Sequence, residues 1–482
     1  MKARSLKMKE KVTGIPVPAE GTPEYEKMNK MAKRAIPLIL IIFTLGILEQ
    51  QAFGMIFVNI GKQLGVPGQA SLITSIPGIV LGVISVIYGS LGDFVSLKKM
   101  TFLGIILFVA GSIIGFALGP INIWAVVIAR VLQSAGGQVA GSVFLVLVSK
   151  YVSKASRVLY YQIFVAVFRF SAALGVVLAG LVETIDWRWL FLVPIVTLFF
   201  IPALNRNLPD LHAKGAKVDV VGFTLIGAFA TSVTMYFTDN TIFWAIASVI
   251  TLIAFSIYIH KAQNPFITPQ FFKNPSFIAV MAVIFVGYFF SYTINAGVNA
   301  IGLNVYHISS AKISNMLVWS ILLAAILGFA GPILKKLGRT LSITVALTFM
   351  GLGLIAVAFF IPMGPVWSLA VAPCIYYFGT SFFYSPIVDS ATLTVPAEES
   401  GRVLGVNDLV QAITGSIGVA VFSGMMSSGF MSGGSVAGIG AGVASTYANV
   451  FIVGGIIVLA ALVIYLVFHK VIYSHADIDK KQ

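Results

Sequence analysis

Residues 36–60 read IPLILIIFTLGILEQQAFGMIFVNI, a run that is apolar almost throughout. A helix of this length crosses the hydrocarbon core of a bilayer and satisfies its own backbone hydrogen bonds there. Thirteen further runs of similar length and character follow, at 70–92, 100–118, 121–148, 160–183, 187–205, 219–238, 241–260, 276–301, 314–334, 341–361, 366–390, 403–426 and 447–468. The fourteen predicted spans indicate an all-α polytopic membrane protein.

The composition supports this class and excludes several others. Hydrophobic residues make up 58% of the chain and charged residues 10%, whereas a soluble domain carries about 25% charged residues. The sequence has no nucleotide-binding loop, no metal-ligand spacing and no nucleophile elbow, so an enzyme is not predicted. A single cysteine, Cys374, lies within a predicted span and predicts neither a disulfide nor a metal site.

The distribution of Lys and Arg predicts the orientation in the membrane. With a cytoplasmic N-terminus, the outside loops hold only Lys62, Arg188 and Lys312 of the 31 basic residues. Arg130 and Arg169 lie within spans, and the others fall on the cytoplasmic side. We therefore expect both termini in the cytoplasm. The net charge of +14 follows from this topology and favours contact with anionic lipids over nucleic-acid binding.

Two similar loops suggest internal duplication. They read GSLGDFVSLKK at 89–99 and GPILKKLGR at 331–339, and in each a glycine precedes a charged residue by four positions. Facing repeats are common in secondary transporters. The predicted units are a cytoplasmic tail (1–35), a six-helix bundle (36–205), two inserted helices with their loops (206–275), a second six-helix bundle (276–468) and a cytoplasmic tail (469–482).

Three stretches resemble a known family. The loop at 89–99 resembles the Gly-x-x-x-Asp-x-x-Gly-Arg-Lys signature of the major facilitator superfamily, and ARVLQSAGG at 129–137 resembles its Arg-x-x-Gln-Gly-x-Gly-Ala element. The run DWRWLFLVP at 186–194 is similar to the start of helix 6 in the fourteen-helix drug:proton antiporter family, which includes Gram-positive tetracycline exporters. The resemblance implies a major facilitator fold, in a bacterial plasma membrane, with two inserted helices.

The chain also departs from the family pattern. In the first loop, Ser96 and Leu97 replace the usual Gly and Arg. In the second loop, Lys335 occupies the position that corresponds to Asp93 of the first. In helix 5, the family's Gly-x-x-x-Gly-Pro-x-x-Gly-Gly element is reduced to SAALGVVLAG at 171–180, without the proline. Because the resemblance ties this element to export, its degeneration leaves the direction of transport open.

Charges at bilayer depth are costly, so each one predicts a role. Glu49 lies where the resemblance places an acidic residue of helix 1, and removal from water favours the neutral form of a carboxylic acid. We therefore predict proton coupling at Glu49, with a structural ion pair as the alternative. The resemblance ties Arg130 to proton or substrate handling. Arg169 needs an anionic partner, which is either Glu49 or an anionic group of a substrate.

Aromatic and polar residues concentrate in two C-terminal spans, and aromatic walls with a few polar groups suit a bulky amphipathic ligand. For any single ring, a lipid-facing position is the alternative. The predicted substrate-binding residues are Gln50, Gln51, Gln133, Arg169, Tyr288, Tyr292, Asn295, Asn299, Tyr377 and Tyr384. The predicted gating residues are Asp93, Lys98, Lys99, Arg402 and Asp408.

The sequence thus predicts a proton-coupled secondary transporter that works by alternating access. The leading reading is export of a drug or toxic amphipath in exchange for protons. The alternative is uptake, together with protons, of an organic anion such as a bile-acid-like carboxylate; a lipid flippase or a membrane sensor is less favoured. The expected partners are a small-molecule substrate, protons and membrane lipids. We expect a monomer driven by the proton gradient, without a cofactor.

Overall fold

A computed structural model describes residues 21–91, 95–183, 185–210, 219–262, 265–327, 331–395 and 400–474. In these ranges the regular structure is helical apart from one β-bridge between Ser435 and Ile439. The α-helices are α1 (Pro23–Gln63), α2 (Leu72–Leu91), α3 (Leu97–Leu118), α4 (Ile123–Tyr151), α5 (Lys154–Glu183), α6 (Ile201–Asn207), α7 (Val220–Asp239), α8 (Ile242–Lys261), α9 (Pro275–Gly287), α10 (Ile294–Asn304), α11 (Ser310–Leu327), α12 (Gly331–Phe360), α13 (Ala372–Ser381), α14 (Tyr384–Thr392), α15 (Ser400–Ser427) and α16 (Val443–Ile472). A 3-10 helix at Trp187–Phe200 leads into α6, and a π-helix at Trp367–Val371 leads into α13.

Within the described ranges, 12 helical segments are long and apolar enough to cross a membrane. They coincide with predicted spans and confirm the all-α membrane fold. The structure does not confirm 276–301 and 366–390 as continuous spans. The first is interrupted between α9 and α10, and the second between α13 and α14. At the first break the Ser291 hydroxyl donates to the Tyr288 carbonyl at 2.6 Å, a local bond that competes with helical pairing.

Two helices differ from the sequence expectation in length or shape. α1 begins at Pro23, so part of the predicted tail is helical; the Thr22 side chain caps it by accepting from the Tyr25 N–H at 3.2 Å. α12 changes direction at Gly338, whose φ of 75° favours glycine. The stretch between the predicted spans 403–426 and 447–468 is a loop in the structure, at 428–442 between α15 and α16.

The inserted helices α7 and α8 pack against both halves of the molecule through α7. Ala230 of α7 is buried in a cluster with Ile79 of α2 and Leu409 of α15. Asp219 holds the pair together, because it accepts hydrogen bonds from the Tyr258 hydroxyl at 2.5 Å and the Phe266 N–H at 2.8 Å. The pair therefore covers the seam between α2 and α15.

The N-terminal half (α1–α6) meets the C-terminal half (α9–α16) along the contacts of α1 with α10, α2 with α15 and α5 with α11. Hydrogen bonds from α1 to the C-terminal half lie beyond its midpoint, on the side of the membrane away from the chain termini. They join Gln51 to Asn295 at 3.3 Å, the Met55 carbonyl to Asn299 at 3.2 Å and Lys62 to Asn304 at 2.8 Å.

Two residues nearer the side of the chain termini, Tyr384 and Asp408, are exposed. The space between the halves is therefore closed on the distal side and open toward the side of the termini.

Candidate functional site

A buried ion pair joins α1 to α4. The Arg130 Nη1 atom lies 3.2 Å from Glu49 Oε2, and the two side chains are 3% and 1% exposed. The helices approach closely here because Gly46 faces Gly137; a Cβ at Gly46 would lie 3.4 Å from the Gly137 Cα. Small residues allow such approaches between membrane helices. The glycines of the helix 4 motif thus bring the acid and the base together.

Gln133 orients the arginine of this pair. It lies one turn after Arg130, whose Nη1 donates to Gln133 Oε1 at 3.0 Å. The Gln133 amide in turn donates to Ser112 Oγ at 3.2 Å, and the guanidinium lies 4.5 Å from the centre of the Phe53 ring. Gln133 is buried within this network, and its predicted contact with substrate remains a prediction.

The hydrogen bonding of the pair is incomplete despite the short distance. Neither Glu49 oxygen accepts a well-aligned hydrogen bond, and Arg130 Nε donates none. A small cavity lined by Gln50, Ser134 and Gln138 adjoins the two side chains. Buried charges with unused hydrogen-bonding capacity are costly. This environment therefore favours a carboxyl group that changes its protonation state.

Arg169 of α5 has a different environment. In the described part of the chain no carboxylate lies within salt-bridge distance of its guanidinium. Glu49, one of its two predicted partners, is paired with Arg130 instead. The half-buried Arg169 lies over the Phe168 ring, 5.9 Å from its centre, and is close to four tyrosines of the C-terminal half: Tyr288, Tyr376, Tyr377 and Tyr384. A substrate group is the partner left among the predicted alternatives.

Asp408 of α15 lies with the same tyrosines. Its carboxylate accepts a hydrogen bond from Asn407 Nδ2 at 2.9 Å, and the Tyr384 hydroxyl lies nearby. Tyr288 and Tyr292 also lie near it. The sequence suggested gating for Asp408, and the structure places it where a ligand between the halves can reach it.

We call the space bounded by Arg169, Asp408 and the four tyrosines named with Arg169 the tyrosine cavity. The breaks in two helices build its wall, because Tyr288 follows α9 directly and Tyr384 opens α14. Transporters commonly bind their cargo at interrupted helices near the midplane. Tyr376 was not among the predicted binding residues. The structure adds it to the wall, because its ring packs edge-on against the Tyr377 ring, with the centroids 5.4 Å apart.

A chain of hydrogen bonds connects the tyrosine cavity to α1. The Tyr377 hydroxyl donates to Asn295 Oδ1 at 2.6 Å, and the Asn295 amide donates to Gln51 Oε1 at 3.3 Å. Gln51 lies two residues after Glu49 on α1. The structure thus joins three of the predicted binding residues into one connection between the halves.

The other predicted residues lie around these two sites. Asn299 is buried against the Met55 carbonyl in the distal closure, and Tyr292 packs against Gly415 of α15. Gln50 lines the small cavity beside the ion pair. Lys98 is half-buried and Lys99 exposed at the start of α3. Asp93 and the side chain of Arg402 lie outside the described residues, and all four gating assignments other than Asp408 remain predictions.

Two polar contacts outside the spans were not predicted. Ser96 Oγ, where the family pattern has glycine, donates to Asp210 Oδ1 at 2.5 Å and ties the start of α3 to the segment after α6. On the distal side, hydrogen bonds from Arg188 lower the pKa of Asp186. No group of three or more metal-ligating side chains occurs among the described residues.

Comparison with known proteins places these features in a family. The sequence profile of the Major Facilitator Superfamily matches residues 39–419. The chain belongs to this superfamily. It is 23% identical to the uncharacterised transporter EfpA of Mycobacterium tuberculosis (strain H37Rv) over 369 residues, which are 73% of this chain and 68% of EfpA. It is 21% identical to the quinolone resistance protein NorB of Staphylococcus aureus (strain MRSA252) over 415 residues, 83% of this chain and 89% of NorB.

Solved structures of peptide transporters share the fold. A peptide transporter POT in complex with sulfate matches with a TM-score of 0.66 at 16% identity, over 96% of this chain and 98% of that chain. A POT family transporter in complex with 5-aminolevulinic acid also gives 0.66, at 15% identity, over 91% and 96%. The resemblance predicted from the motifs is therefore confirmed, and the protein is a multi-pass transporter of small molecules in a family that is not enzymatic.

Proposed function

We propose that this transporter is a proton-driven antiporter that exports a small amphipathic organic molecule. The observation that carries the proposal is the Glu49–Arg130 pair, which is buried, close and incompletely hydrogen-bonded beside a small cavity. The relative NorB, named for quinolone resistance, supports export as the direction.

Protonation of Glu49 supplies the driving force in this mechanism. A proton on the carboxylate leaves Arg130 as a buried charge without a counter-charge, a state that is strongly unfavourable. The pair lies entirely within the N-terminal half, so its loss acts through the position of α1 rather than by unlocking the two halves directly. Release of the proton to the other side restores the pair and resets the helix.

The hydrogen-bond chain from α1 to the tyrosine cavity transmits this change. A shift of α1 displaces Gln51 and with it Asn295 and the Tyr377 hydroxyl, which border the substrate space. The same helix carries Met55 and Lys62, whose bonds close the distal side. Proton binding therefore biases both the substrate site and the distal closure, as alternating access requires.

Uptake of an organic anion together with protons is the second candidate. It is favoured by Arg169, which lacks a carboxylate partner among the described residues and faces the cavity. In that case the substrate anion provides the missing counter-charge.

Reconstitution in proteoliposomes distinguishes the two directions. A fluoroquinolone, a lipophilic cation and an aromatic carboxylate are tested under pH gradients of either sign. Antiport predicts movement of substrate against the proton flow, and symport predicts movement with it. In either case Glu49→Gln abolishes gradient-driven transport, whereas the control Asp239→Asn, at the end of α7, does not. Transport in Glu49→Gln that still responds fully to the gradient would remove Glu49 from the mechanism.

A further inference from the structure

We propose that the tyrosine cavity selects dipolar molecules, that is, zwitterions, which place a carboxylate or related oxyanion at Arg169 and an amine at Asp408. This inference rests on the proposed transport function and names the class of substrate for the same site. It differs from recognition of a simple anion or a simple cation, which either charge alone would favour.

The two charges come from opposite halves and are not neutralised by one another. Arg169 belongs to α5 and Asp408 to α15, and no salt bridge to either is found in the described ranges. The polar groups next to the Asp408 carboxylate are neutral: the Asn407 amide, which donates to it at 2.9 Å, and the nearby Tyr384 hydroxyl. Each charge is therefore available to a ligand of opposite sign.

Two of the tyrosines lie near both charges. Tyr288 and Tyr384 are each close to both Arg169 and Asp408. Their rings and hydroxyl groups thus form a wall along the path from one charge to the other. An aromatic or otherwise flat body fits such a wall. The expected ligand is an aromatic body with an acid at one end and an amine at the other.

Separation of the charges also has a mechanical consequence. A dipolar ligand binds α5 with one end and α15 with the other, so it draws the two halves together on the open side. A ligand with one charge binds one half and leaves the opposite charge exposed. Dipolar ligands should therefore promote closure and transport, and singly charged analogues should bind more weakly and move more slowly.

A set of four probes tests this selectivity. The parent is 4′-(aminomethyl)biphenyl-4-carboxylic acid, and the others are its N-acetyl derivative, its carboxamide and the doubly blocked compound. Binding to the purified full-length protein in detergent is measured by calorimetry. We expect the zwitterion to bind roughly tenfold to a hundredfold more tightly than the doubly blocked compound, since charge-assisted hydrogen bonds form at both ends.

Substitutions assign each end of the probe. Arg169→Gln should weaken binding of the two probes that carry a free carboxylate by roughly tenfold or more. It should leave binding of the two probes whose carboxylate is converted to a carboxamide unchanged. Asp408→Asn should weaken the two probes with a free amine and spare the acetylated ones. Arg169→Lys, which keeps the charge, should recover part of the loss. Arg206→Gln and Asp239→Asn are controls that remove the same charges away from the cavity.

The outcomes separate this inference from the transport proposal. Equal losses for all four probes in either variant, or no binding of the zwitterion to wild-type protein at millimolar concentration, would overturn the dipolar site. The predicted binding pattern without gradient-driven transport of the zwitterion in proteoliposomes would keep the site and contradict the proposed function.

Discussion

Arg130 and Arg169 both lie within helices of the N-terminal half, yet their surroundings differ. Arg130 is 3% exposed and lies 3.2 Å from a carboxylate. Arg169 is half-buried and lies near tyrosines of the C-terminal half. Arg130 is neutralised inside the N-terminal bundle, whereas Arg169 is left without a carboxylate partner among the described residues and can bind an anionic group of a substrate.

The same contrast holds for the acids. Glu49 is sealed from solvent within the pair, and Asp408 is exposed in the cavity with neutral hydrogen-bond donors. Opposite charges in contact suit a switch, because a single proton breaks the balance. Opposite charges that are kept apart suit recognition, because a ligand can supply a counter-charge to each of them. In the mechanism we propose, α1 and α4 therefore couple transport to the proton, and α5 and α15 recognise the substrate.

The largest expected effect is on stability, from removal of Arg130. Arg130→Ala leaves the Glu49 carboxylate buried without a counter-charge, and we expect a loss of about 3–5 kcal/mol. Arg169→Ala should cost less than about 1 kcal/mol, since no ion pair is broken. Denaturant unfolding of the purified proteins measures both. The double variant Glu49→Gln, Arg130→Gln should regain most of the stability, and a double variant as unstable as Arg130→Ala would contradict a charge-based pair.

A smaller effect is expected on the connection between the two sites. Tyr377→Phe removes the hydroxyl that donates to Asn295, a bond worth about 1 kcal/mol, or roughly fivefold. Gradient-driven accumulation should fall by that factor, and substrate affinity should change less. Tyr306→Phe is the matched control, because its hydroxyl donates to the Ile361 carbonyl within the C-terminal half. The same loss of accumulation in both variants would argue against transmission through Tyr377.

The distal closure should respond to a similar extent. Asn299→Ala removes the bond to the Met55 carbonyl and should shift the population toward the distal-open state by roughly fivefold or less. Labelling of Ser310→Cys by an impermeant thiol reagent, in a Cys374→Ser background, reports this opening. The Ser310 hydroxyl has no hydrogen bond to lose.

Asn449→Ala is the control for this experiment, because its amide bonds the Met431 and Gly433 carbonyls in the loop before α16. Unchanged labelling in Asn299→Ala would show that this bond does not hold the distal side closed.

The smallest effect concerns an exposed pair. The pKa of Asp186 is lowered by hydrogen bonds from Arg188, so its contribution to stability is present above the pKa of the unfolded chain, about 3.9, and is lost as the pH falls. Because the pair is solvent-accessible, Asp186→Asn should lower the melting temperature only slightly at pH 7, and by less near pH 3. A loss as large as that of Arg130→Ala would erase the distinction between buried and exposed pairs.

Hydropathy predicts most of this fold because a membrane span needs a long apolar run. It does not predict the breaks after Gly287 and Ser381, since aromatic residues raise the apparent length of a span even where the helix ends. The polar residues Ser291 and Thr293, within one apolar run, are the signal that an interruption leaves in the sequence.

The residues of the candidate site were easier to predict from the sequence than the contacts between them. Glu49 and Arg130 stand out as charges at bilayer depth, but their pairing depends on the close contact of Gly46 with Gly137, which spacing along one helix does not show. Asp408 lies near a helix end in the sequence, which suggests a gate. Its exposure to the tyrosine cavity depends on how far the opening between the halves extends, a property of the packed bundles.

The most direct test of the separate roles compares substrate exchange with gradient-driven transport in Glu49→Gln. Proteoliposomes loaded with unlabelled substrate are assayed for entry of labelled substrate without a gradient, and then for accumulation with one. We expect exchange near the wild-type rate and no accumulation. Loss of exchange in a folded Glu49→Gln protein, or accumulation that persists, would contradict it.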